Sequence, residues 1–343
     1  MLPLRKPEPD LDGIGLEALV SVAIATRPDH DFLREPARRD IWSGVAGLPL
    51  SFAGLDQRAR RLASLLGMSR LPERSKALIL APMGSEQLIA ILAALHAGLQ
   101  PVLLPLSAGS HALQGLFDAA GPCVAIATCR CGDLEPARML RDAAARSFNA
   151  RLVCGFGPDV PDGVVPLDSI IVSNKRLPDA PAPASPPGLL GLVAETGDGI
   201  RQTMLEAELV AASVALARVT RVGTDARVLS TMMNPGFCAL ASGPYLALLS
   251  GAEYLPLGLF SLSALWAGLS DGRATTLVAP AGIEGALRAA GIVGHETVRN
   301  LLLVHRSVPG RMSGRDDGPV RVFDLHVRGR NELVIRARER AGA

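Results

Sequence analysis

The sequence predicts an α/β protein built from two layered subdomains with largely parallel sheets. Three observations lead to this prediction: short apolar runs alternate with helical stretches, the alternation fills two long segments, and a proline-rich stretch separates them. Strands that alternate with helices of this length are typical of parallel sheets covered on both faces. The chain has 343 residues, 48% of them hydrophobic, which is more than one core comfortably holds and favours two packed units.

The first segment begins with a buried strand and a helix. Lys76–Ala81 is a short apolar run suited to a parallel strand, and Pro82–Ser85 turns the chain into a helix that Gly98 ends. The remaining elements of this segment are predicted as strands at 102–104, 123–127 and 151–154 and as helices at 112–120 and 134–148.

Residues 174–188 contain five prolines, which cannot donate the hydrogen bonds of a sheet, so this stretch is predicted to be an exposed linker. The expected organisation is therefore an N-terminal α/β subdomain over residues 1–173, the linker, and a second α/β subdomain over residues 189–343. The second subdomain is expected to end in a short β-rich tail.

The second segment repeats the alternation of strands and helices. Its elements are predicted as strands at 189–194, 227–230, 253–256, 275–278 and 301–304 and as helices at 205–218, 238–249, 261–269 and 283–290. Residues 228–252 carry no formal charge, but Asn234–Gly236 and Gly243-Pro244 divide them into pieces too short for a membrane helix. We therefore predict no membrane span.

The composition excludes several classes of protein. The 35 Lys and Arg residues nearly balance the 33 Asp and Glu residues, and the net charge of +2 gives no general reason to bind nucleic acid. Five cysteines without a secretory leader favour a reduced, cytoplasmic setting over a disulfide framework. Cys129 and Cys131 are the only close pair and lack partners at zinc spacing, so no metal site is predicted.

The order of several motifs resembles that of the adenylate-forming superfamily, which includes acyl- and aryl-CoA synthetases, peptide-synthetase adenylation domains and firefly-type luciferases. The resemblance covers about residues 15–305, and its specificity lies in the series, since no single motif is intact. The stretches that carry it are Leu50–Leu55, Arg58–Ala63, Leu78–Gly98, Pro101–Pro105, Gly223–Ser230 and Thr231–Phe237. The resemblance implies the large α/β domain of these enzymes.

The superfamily has a phosphate-binding loop, Tyr-Thr-Ser-Gly-Thr-Thr-Gly-x-Pro-Lys-Gly-Val, followed by Ser-His-x-x-Leu. Residues 193–209 resemble this pattern without a gap when Thr196-Gly197 is taken as the anchor. The resemblance implies that a nucleotide, if one is bound, would contact Thr196, Gly197, Gly199 and Arg201.

The chemistry of this loop departs from the pattern. Ala194 and Glu195 replace hydroxyl residues, Asp198 adds a second carboxylate, and Ile200 stands at the lysine position with Arg201 beside it. Each carboxylate would repel a triphosphate by ~1 kcal/mol near a protein surface. Losing the charge-assisted hydrogen bond of the lysine costs roughly another 1.5–3 kcal/mol. The sequence therefore favours a loop that has lost nucleotide binding, and the alternative is that Arg201 replaces the lysine.

Two further expectations follow from comparison with the superfamily pattern. Its Tyr-Gly-x-Thr-Glu motif cannot be placed, because the only tyrosines, Tyr245 and Tyr254, fall in a helix and a strand. The tail 318–336 resembles the Gly-Glu-Leu-x-Val-Arg strands, so the mobile C-terminal domain with its catalytic lysine is expected to be missing. The chain has three lysines, Lys6, Lys76 and Lys175, and neither lysine of the parent chemistry is among them.

The resemblance also implies a substrate pocket at the turn formed by Asn234, Pro235, Gly236 and Phe237, in a cleft between the subdomains near residues 195–201. No catalytic residue is assigned. His295 with Glu296 and His305 with Arg306 have no nucleophile or orienting carboxylate at a defined spacing.

The resulting hypothesis is a degenerate synthetase or ligase-like protein, a pseudoenzyme that binds a small acyl or aryl carboxylate derivative or a partner protein without full ATP-driven activation. One alternative is an active acid ligase that uses Arg201, ATP and magnesium, with the C-terminal domain supplied by another chain. Another is a non-enzymatic interaction subunit. No cofactor is assured outside the active alternative, and a homodimer, the ligand and the pathway are left open.

Overall fold

The computed structural model describes residues 15–47, 49–172, 189–192, 202–306, 318–329 and 331–338. These residues form two β-sheets with helices packed on their faces, so the predicted α/β class with largely parallel sheets is confirmed. The predicted linker at residues 174–188 and the loop at residues 193–201 lie outside the described residues.

The chain begins with helix α1, a short strand pair and the long helix α3. These elements are α1 (Leu16–Thr26), β1 (Asp31–Arg34), α2 (Asp40–Ser43), β2 (Pro49–Ser51) and α3 (Phe52–Gly67). The hydroxyl of Ser51 accepts a hydrogen bond from the amide of Gly54 at 3.1 Å and thereby caps α3. The apolar residues Leu55, Ala59 and Leu62 bury one face of this helix.

The first strand–helix alternation builds a seven-stranded sheet. Its elements are β3 (Lys76–Leu80), α4 (Ser85–His96), β4 (Gln100–Leu103), α5 (Ser110–Ala120), β5 (Cys123–Thr128), α6 (Pro136–Ala144), β6 (Ala150–Phe156), β7 (Val165–Pro166), α7 (Asp168–Val172), β8 (Leu189–Leu192) and β9 (Gln202–Leu205). The strand order is β7-β6-β5-β3-β4-β8-β9, and every pair except β8–β9 is parallel.

The second alternation builds an eight-stranded sheet. Its elements are α8 (Glu206–Thr220), β10 (Arg227–Ser230), α9 (Phe237–Leu240), α10 (Leu246–Ser250), β11 (Glu253–Pro256), α11 (Leu262–Leu269), β12 (Thr275–Pro280), α12 (Glu284–Ala289), β13 (Val298–Val304), β14 (Arg321–Arg328) and β15 (Glu332–Ala337). The strand order is β15-β14-β13-β12-β10-β11-β1-β2, with antiparallel pairing only in the two outermost strand pairs.

The two sheets exchange strands across the expected division of the chain. Strand β1, from the N-terminal part, pairs with β11 in the eight-stranded sheet, where Leu33 lies opposite Tyr254. Strand β8, from the C-terminal part, pairs with β4 in the seven-stranded sheet, where Leu103 lies opposite Leu192. The division expected at the linker therefore does not coincide with the boundary between the sheets, because pairing partners distant in sequence complete each sheet.

One hydrophobic cluster contains residues from both sheets. Ile79 and Ile126 of the seven-stranded sheet belong to the same buried cluster as Val228 and Val278 of the eight-stranded sheet. Helix α4 contributes most of its apolar residues to this cluster and is buried along its whole length, including the polar residues at its two ends.

Two helices differ most from their predictions. The helix predicted over 238–249 is interrupted by a wide, π-type turn at 241–245, because Pro244 lacks a donor and Gly243 lies against Tyr254. A Cβ on Gly243 would lie 3.2 Å from the tyrosine ring. The helix predicted over 134–148 covers only Pro136–Ala144. Within the described ranges, no helix is long and apolar enough to cross a membrane.

Candidate functional site

The carboxyl ends of the central strands of both sheets meet at one place. The amide of Met83, in the turn after β3, donates to the carbonyl of Met233, in the turn after β10, at 2.9 Å. The amide of Leu106, after β4, donates to Oδ1 of Asn234 at 3.1 Å. Ligands of open α/β sheets bind at the carboxyl ends of strands. This junction is therefore the candidate functional site.

The ends of the predicted phosphate loop also lie at this edge of the seven-stranded sheet. Leu192, the last residue of β8, lies opposite Leu103 of β4 on one side and opposite Gln202 of β9 on the other. The chain therefore leaves and re-enters the sheet beside the carboxyl end of β4. The four residues predicted to contact a nucleotide lie outside the described residues: Thr196, Gly197, Gly199 and Arg201.

The predicted substrate-turn residues lie at the junction but have different surroundings. Asn234 joins the two sheets through its side chain, and Pro235 and Gly236 are partly exposed beside it. Gly236 precedes α9 and accepts the amide of Leu240 at 2.9 Å. Phe237 belongs to the shared hydrophobic core and is only 4% exposed. Asn234, Pro235 and Gly236 are thus accessible from the junction, whereas Phe237 packs inward.

A buried charge cluster supports the turn after β3. Glu35 Oε1 accepts the amide of Ser85, the first residue of α4, at 3.0 Å. Arg39 bridges Glu35 and Glu86, with distances of 2.9 Å to Glu35 Oε2 and 2.5 Å to Glu86 Oε1. A cavity of about 60 Å³ adjoins these side chains. A carboxylate at the start of a helix accepts hydrogen bonds from amides that have no partner in the helix, and the positive end of the helix dipole attracts it. Glu35 therefore fixes the position of the turn.

The electrostatics of this cluster are those of a desolvated ion network. Burial raises the pKa of Glu86, and the opposing attraction of Arg39 does not fully offset it. Burial disfavours the charge on Arg39 as well, but Glu86 and Glu35 outweigh it and raise the pKa of the guanidinium. Burying two charges costs several kcal/mol each unless they are paired, which explains the close contacts. The cluster is therefore structural support for the site.

The lysine that the structure describes lies far from the junction. Lys76 begins β3, so it is at the amino edge of the seven-stranded sheet, and its Nζ donates to the carbonyl of Ala119 at 3.2 Å. The carboxyl edge, where Met83 meets Met233, is at the other end of the strand. Lys6 and Lys175 lie outside the described residues. Lys76 therefore cannot reach a ligand at the junction.

A histidine at the carboxyl edge of the eight-stranded sheet has an orienting carboxylate. Nε2 of His305, directly after β13, lies 2.7 Å from Oδ1 of Asp324 in the adjacent strand β14. Asp324 is fully buried and also accepts two hydrogen bonds from Arg338. Burial would raise the pKa of Asp324, but the bonds from Arg338 and His305 lower it below the usual range, so the carboxylate is charged.

Sequence reasoning missed this pairing because the two residues are far apart in the chain. The only sequence signal was the apolar run 320–325, Val-Arg-Val-Phe-Asp-Leu, in which Asp324 interrupts a buried strand. A carboxylate in such a run requires a cationic or donor partner. That signal predicts a partner for Asp324 without identifying it.

Metal or thiol chemistry has no support in the described part of the chain. No group of three or more His, Cys, Asp or Glu side chains there is arranged to hold a metal ion. All five cysteines are buried and unpaired, and burial raises the pKa of Cys129 and of Cys238 to about 12. Thiols with such a raised pKa are poor nucleophiles near neutral pH.

Two mostly parallel α/β sheets that meet at their carboxyl edges match the fold of the large domain of adenylate-forming enzymes. Residues 23–169 match the family model described as AMP-binding enzyme. The resemblance predicted from the sequence motifs is therefore confirmed. No curated protein matches the chain in sequence.

Solved structures with the same fold include three CoA synthetases. An acetoacetyl-CoA synthetase from Streptomyces lividans aligns with a TM-score of 0.68 and 16% identity, covering 91% of this chain and 51% of that structure. An acyl-CoA synthetase from Brucella canis aligns with a TM-score of 0.67 and 13% identity, covering 94% of this chain and 58% of that structure. A fatty acyl CoA synthetase from Mycobacterium tuberculosis aligns with a TM-score of 0.64 and 15% identity, covering 84% of this chain and 54% of that structure. The chain thus spans little more than half the length of these structures, and the identities support the fold alone.

Proposed function

We propose that the protein binds a small acyl or aryl carboxylate, or an acyl derivative of one, without completing its activation by ATP. The ligand would occupy the junction beside Asn234 and the ends of the 193–201 loop. The observation that supports this proposal is the meeting of the carboxyl edges, where Met83 contacts Met233. Such an edge is where α/β proteins of this architecture place small ligands.

The loss of ATP-driven activation is inferred from the residues available at the site. Glu195 and Asp198 add negative charge to the loop that would receive a triphosphate, and Ile200 replaces the expected cation. Lys76 cannot substitute, because it lies at the opposite edge of the sheet. Arg201 is the one cation in the loop that could replace the expected lysine. The alternative of an active acid ligase depends on this residue.

The first experiment separates the ligand-binding proposal from an interaction subunit. Thermal unfolding would be followed with a panel of acyl and aryl acids and their thioesters. A ligand present at 100 times its dissociation constant adds about 2.7 kcal/mol to the free energy of unfolding. Stabilisation by one chemical class would support the proposal. A flat response across the panel contradicts it and favours an interaction role with a protein partner or a second copy.

The second experiment separates loss of ATP binding from the active alternative. Calorimetric titration with ATP and magnesium would be carried out on the wild type, on Arg201→Ala and on Arg299→Ala, a matched change of an exposed strand residue. No binding heat in any of them would support the proposal. Binding in the wild type and in Arg299→Ala that is lost in Arg201→Ala would establish the active alternative.

A further inference from the structure

Strand β15 forms an open edge of the eight-stranded sheet. It is the last strand in the order, and among the described residues only β14 pairs with it. Its six residues, Glu332–Ala337, contain no proline or lysine, and its pairing with β14 is continuous. By contrast, the edge strand β2 has three residues that begin with Pro49, and the edge strand β7 has two that end in Pro166. Short strands, proline and bulges protect sheet edges against further pairing, so β15 lacks the usual protection.

The free backbone groups of β15 belong to its odd-numbered residues. The amide of Arg338, directly after β15, donates to the carbonyl of Val322 at 3.0 Å. Because successive residues of a strand point their backbone groups to opposite sides, the even-numbered residues of β15 face β14. Leu333 and Ile335 therefore point their N–H and C=O groups away from the sheet. A further antiparallel strand can form its hydrogen bonds with these two residues.

The side chains of β15 are complementary to those of a second copy. Glu332 and Arg336 are both exposed and lie on the same face of the strand, with Val334 midway between them. When an antiparallel copy places its Val334 opposite Val334, Glu332 lies opposite the partner's Arg336. In the same register Leu333 lies opposite the partner's Ile335, so the free backbone groups of both chains meet. One register thus satisfies both the backbone and the charges.

The charge of Arg336 needs a counter-charge. Within the described part of the chain, Glu332 pairs with Arg328 of β14, whereas Arg336 forms no ion pair. Burial, followed by the charge of Arg336, lowers the pKa of the His326 ring on β14. The positive charge of Arg336 therefore acts on its surroundings uncompensated. The partner's Glu332 would supply the counter-charge, and opposite charges directly across a strand pair are stabilising.

The other face of β15 adds an apolar contact. Leu333 and three alanines of α8, Ala211, Ala212 and Ala215, line an open groove of about 570 Å³. Leu333 and Ile335 share this face of the strand. The partner's Ile335, opposite Leu333, would lie beside the groove and cover apolar surface there. The contact thus extends beyond the backbone of the two strands.

We propose that the protein associates with a second copy of itself through β15, as an antiparallel pair with its two-fold axis at Val334. The two eight-stranded sheets then form one continuous sheet. Symmetry repeats the pairing of Glu332 with the partner's Arg336 on both sides of the axis. Three strands separate β15 from β10, which carries the junction, so this inference does not rest on the proposed function.

The test exploits the symmetry of the charges. Sedimentation equilibrium of the full chain at about 1 to 100 μM should show a dimer for the wild type. In Arg336→Glu and in Glu332→Arg, like charges face each other on both sides of the axis. Each variant alone should therefore raise the dissociation constant by at least about tenfold. An equimolar mixture of the two variants should dimerise again, because every pair across the axis then joins opposite charges.

The matched control is Arg299→Glu, the same charge change at an exposed position of the inner strand β13, which should leave the dissociation constant unchanged. A wild type that stays monomeric over this concentration range would overturn the proposal. Charge-reversed variants that dimerise as tightly as the wild type would also overturn it, as would a mixture that stays monomeric.

A second measurement reports the register directly. Val334 and the partner's Val334 form a non-hydrogen-bonded pair with Cα atoms about 4.5 Å apart, a distance that a disulfide can span. The five native cysteines are buried. Mild oxidation of Val334→Cys should therefore give a covalent dimer. The exposed control Ala337→Cys should not, since it lies about 20 Å from its counterpart in this register. Equal cross-linking of the two variants would overturn the proposal. Neither measurement uses a ligand, so its outcome is distinguishable from a failure of the proposed ligand binding.

Discussion

The hydroxyl of Tyr245 lies 3.2 Å from Oε1 of Glu206, and both side chains are buried. The amide of Leu16, which begins α1, lies 3.4 Å from the same oxygen. Burial raises the pKa of Glu206 to about 7, and these two hydrogen bonds reduce the rise without cancelling it. Glu206 begins α8 directly after β9, so the carboxylate joins the start of α1 to the helix that follows the predicted phosphate loop.

Replacing Glu206 by Gln should stabilise the protein at alkaline pH. The folded state binds a proton at Glu206 up to pH of about 7, whereas an unfolded glutamate releases it near 4.5. Stability is therefore lost as the pH rises between these values, by about 3 kcal/mol for a difference of this size. The amide stays neutral and can still accept both hydrogen bonds. Urea unfolding at pH 5 and pH 8 should show a gain for Glu206→Gln at pH 8 that shrinks at pH 5.

The matched control is Glu73→Gln, which removes one exposed carboxylate. It should change the free energy of unfolding by less than about 0.5 kcal/mol at both pH values. If Glu206→Gln is destabilising at pH 8 by more than this control, then the buried carboxylate is favourable when charged, and the assignment of its pKa is wrong.

His96 should stabilise the protein in acid and lose this effect in alkali. Its ring bridges Glu17 of α1, at 2.7 Å, and Asp56 of α3, at 3.0 Å. Burial opposes protonation of the ring, but the hydrogen bonds to Asp56 and Glu17 raise the pKa of His96 above its usual value. The stabilisation is complete below the unfolded pKa of about 6.5 and declines as the pH rises through the higher folded pKa.

His96→Gln should therefore lower the free energy of unfolding at pH 6 by about 2 kcal/mol, the size of one charge-assisted hydrogen bond. The loss should be smaller at pH 9, because the wild-type ring loses its proton as the pH rises through its raised pKa. Denaturant unfolding over this pH range measures both. His111→Gln provides the comparison for an exposed histidine, and a loss for His96→Gln that does not change with pH would show that the ring acts only by packing.

Substitution of Arg227 should lower the free energy of unfolding more than most other substitutions in the chain. Its guanidinium is 2% exposed and donates to Glu253 Oε2 at 2.6 Å, to Asp271 and to the carbonyl of Gly268. Glu253 is completely buried, so Arg227→Met leaves its charge with Arg34, at 2.7 Å, and the more distant Arg273, at 3.6 Å, as the remaining partners. Removing one member of a buried ion pair costs about 3–5 kcal/mol. Urea unfolding should show a loss of this size.

The double variant Arg227→Met/Glu253→Gln should recover part of that loss, because it removes the uncompensated charge. Arg299→Met, at an exposed position of β13, should cost less than about 1 kcal/mol. A double variant no more stable than Arg227→Met would mean that packing of the guanidinium, and not its charge, holds β10 against β11.

The strand–helix alternation was predictable from the sequence because buried parallel strands are apolar runs with clear ends. Strands β10 and β11 were predicted with their observed bounds, and β3 to within one residue. Strand β1, Asp31–Arg34, was missed because a four-residue stretch with charges at both ends has no apolar pattern of its own. It is a strand because Phe32 and Leu33 are fully buried and β11 and β2 pair with it.

The candidate site was predictable only in part. The turn Asn234–Phe237 follows a predicted strand, so its position at a carboxyl edge is predictable from the order of strands alone. The side-chain amide of Asn234 can also be read from the sequence. The pairing of His305 with Asp324 was not predictable, since strand β14 begins after residues 307–317 and sequence spacing does not fix a register across such a distance. The exchange of β1 and β8 between sheets was missed for the same reason.

Asn234 allows stability and ligand binding to be separated. Its Oδ1 accepts the amide of Leu106, and Asn234→Ala leaves that partly buried amide without its partner at a cost of about 1–2 kcal/mol. Asn234→Asp keeps an accepting oxygen at the same position, so its free energy of unfolding should stay within about 1 kcal/mol of the wild type. The new carboxylate would repel an anionic ligand at the junction. Thermal unfolding with the stabilising acid should therefore show retained stability but no ligand-induced shift for Asn234→Asp, and an undiminished shift would place the ligand away from Asn234.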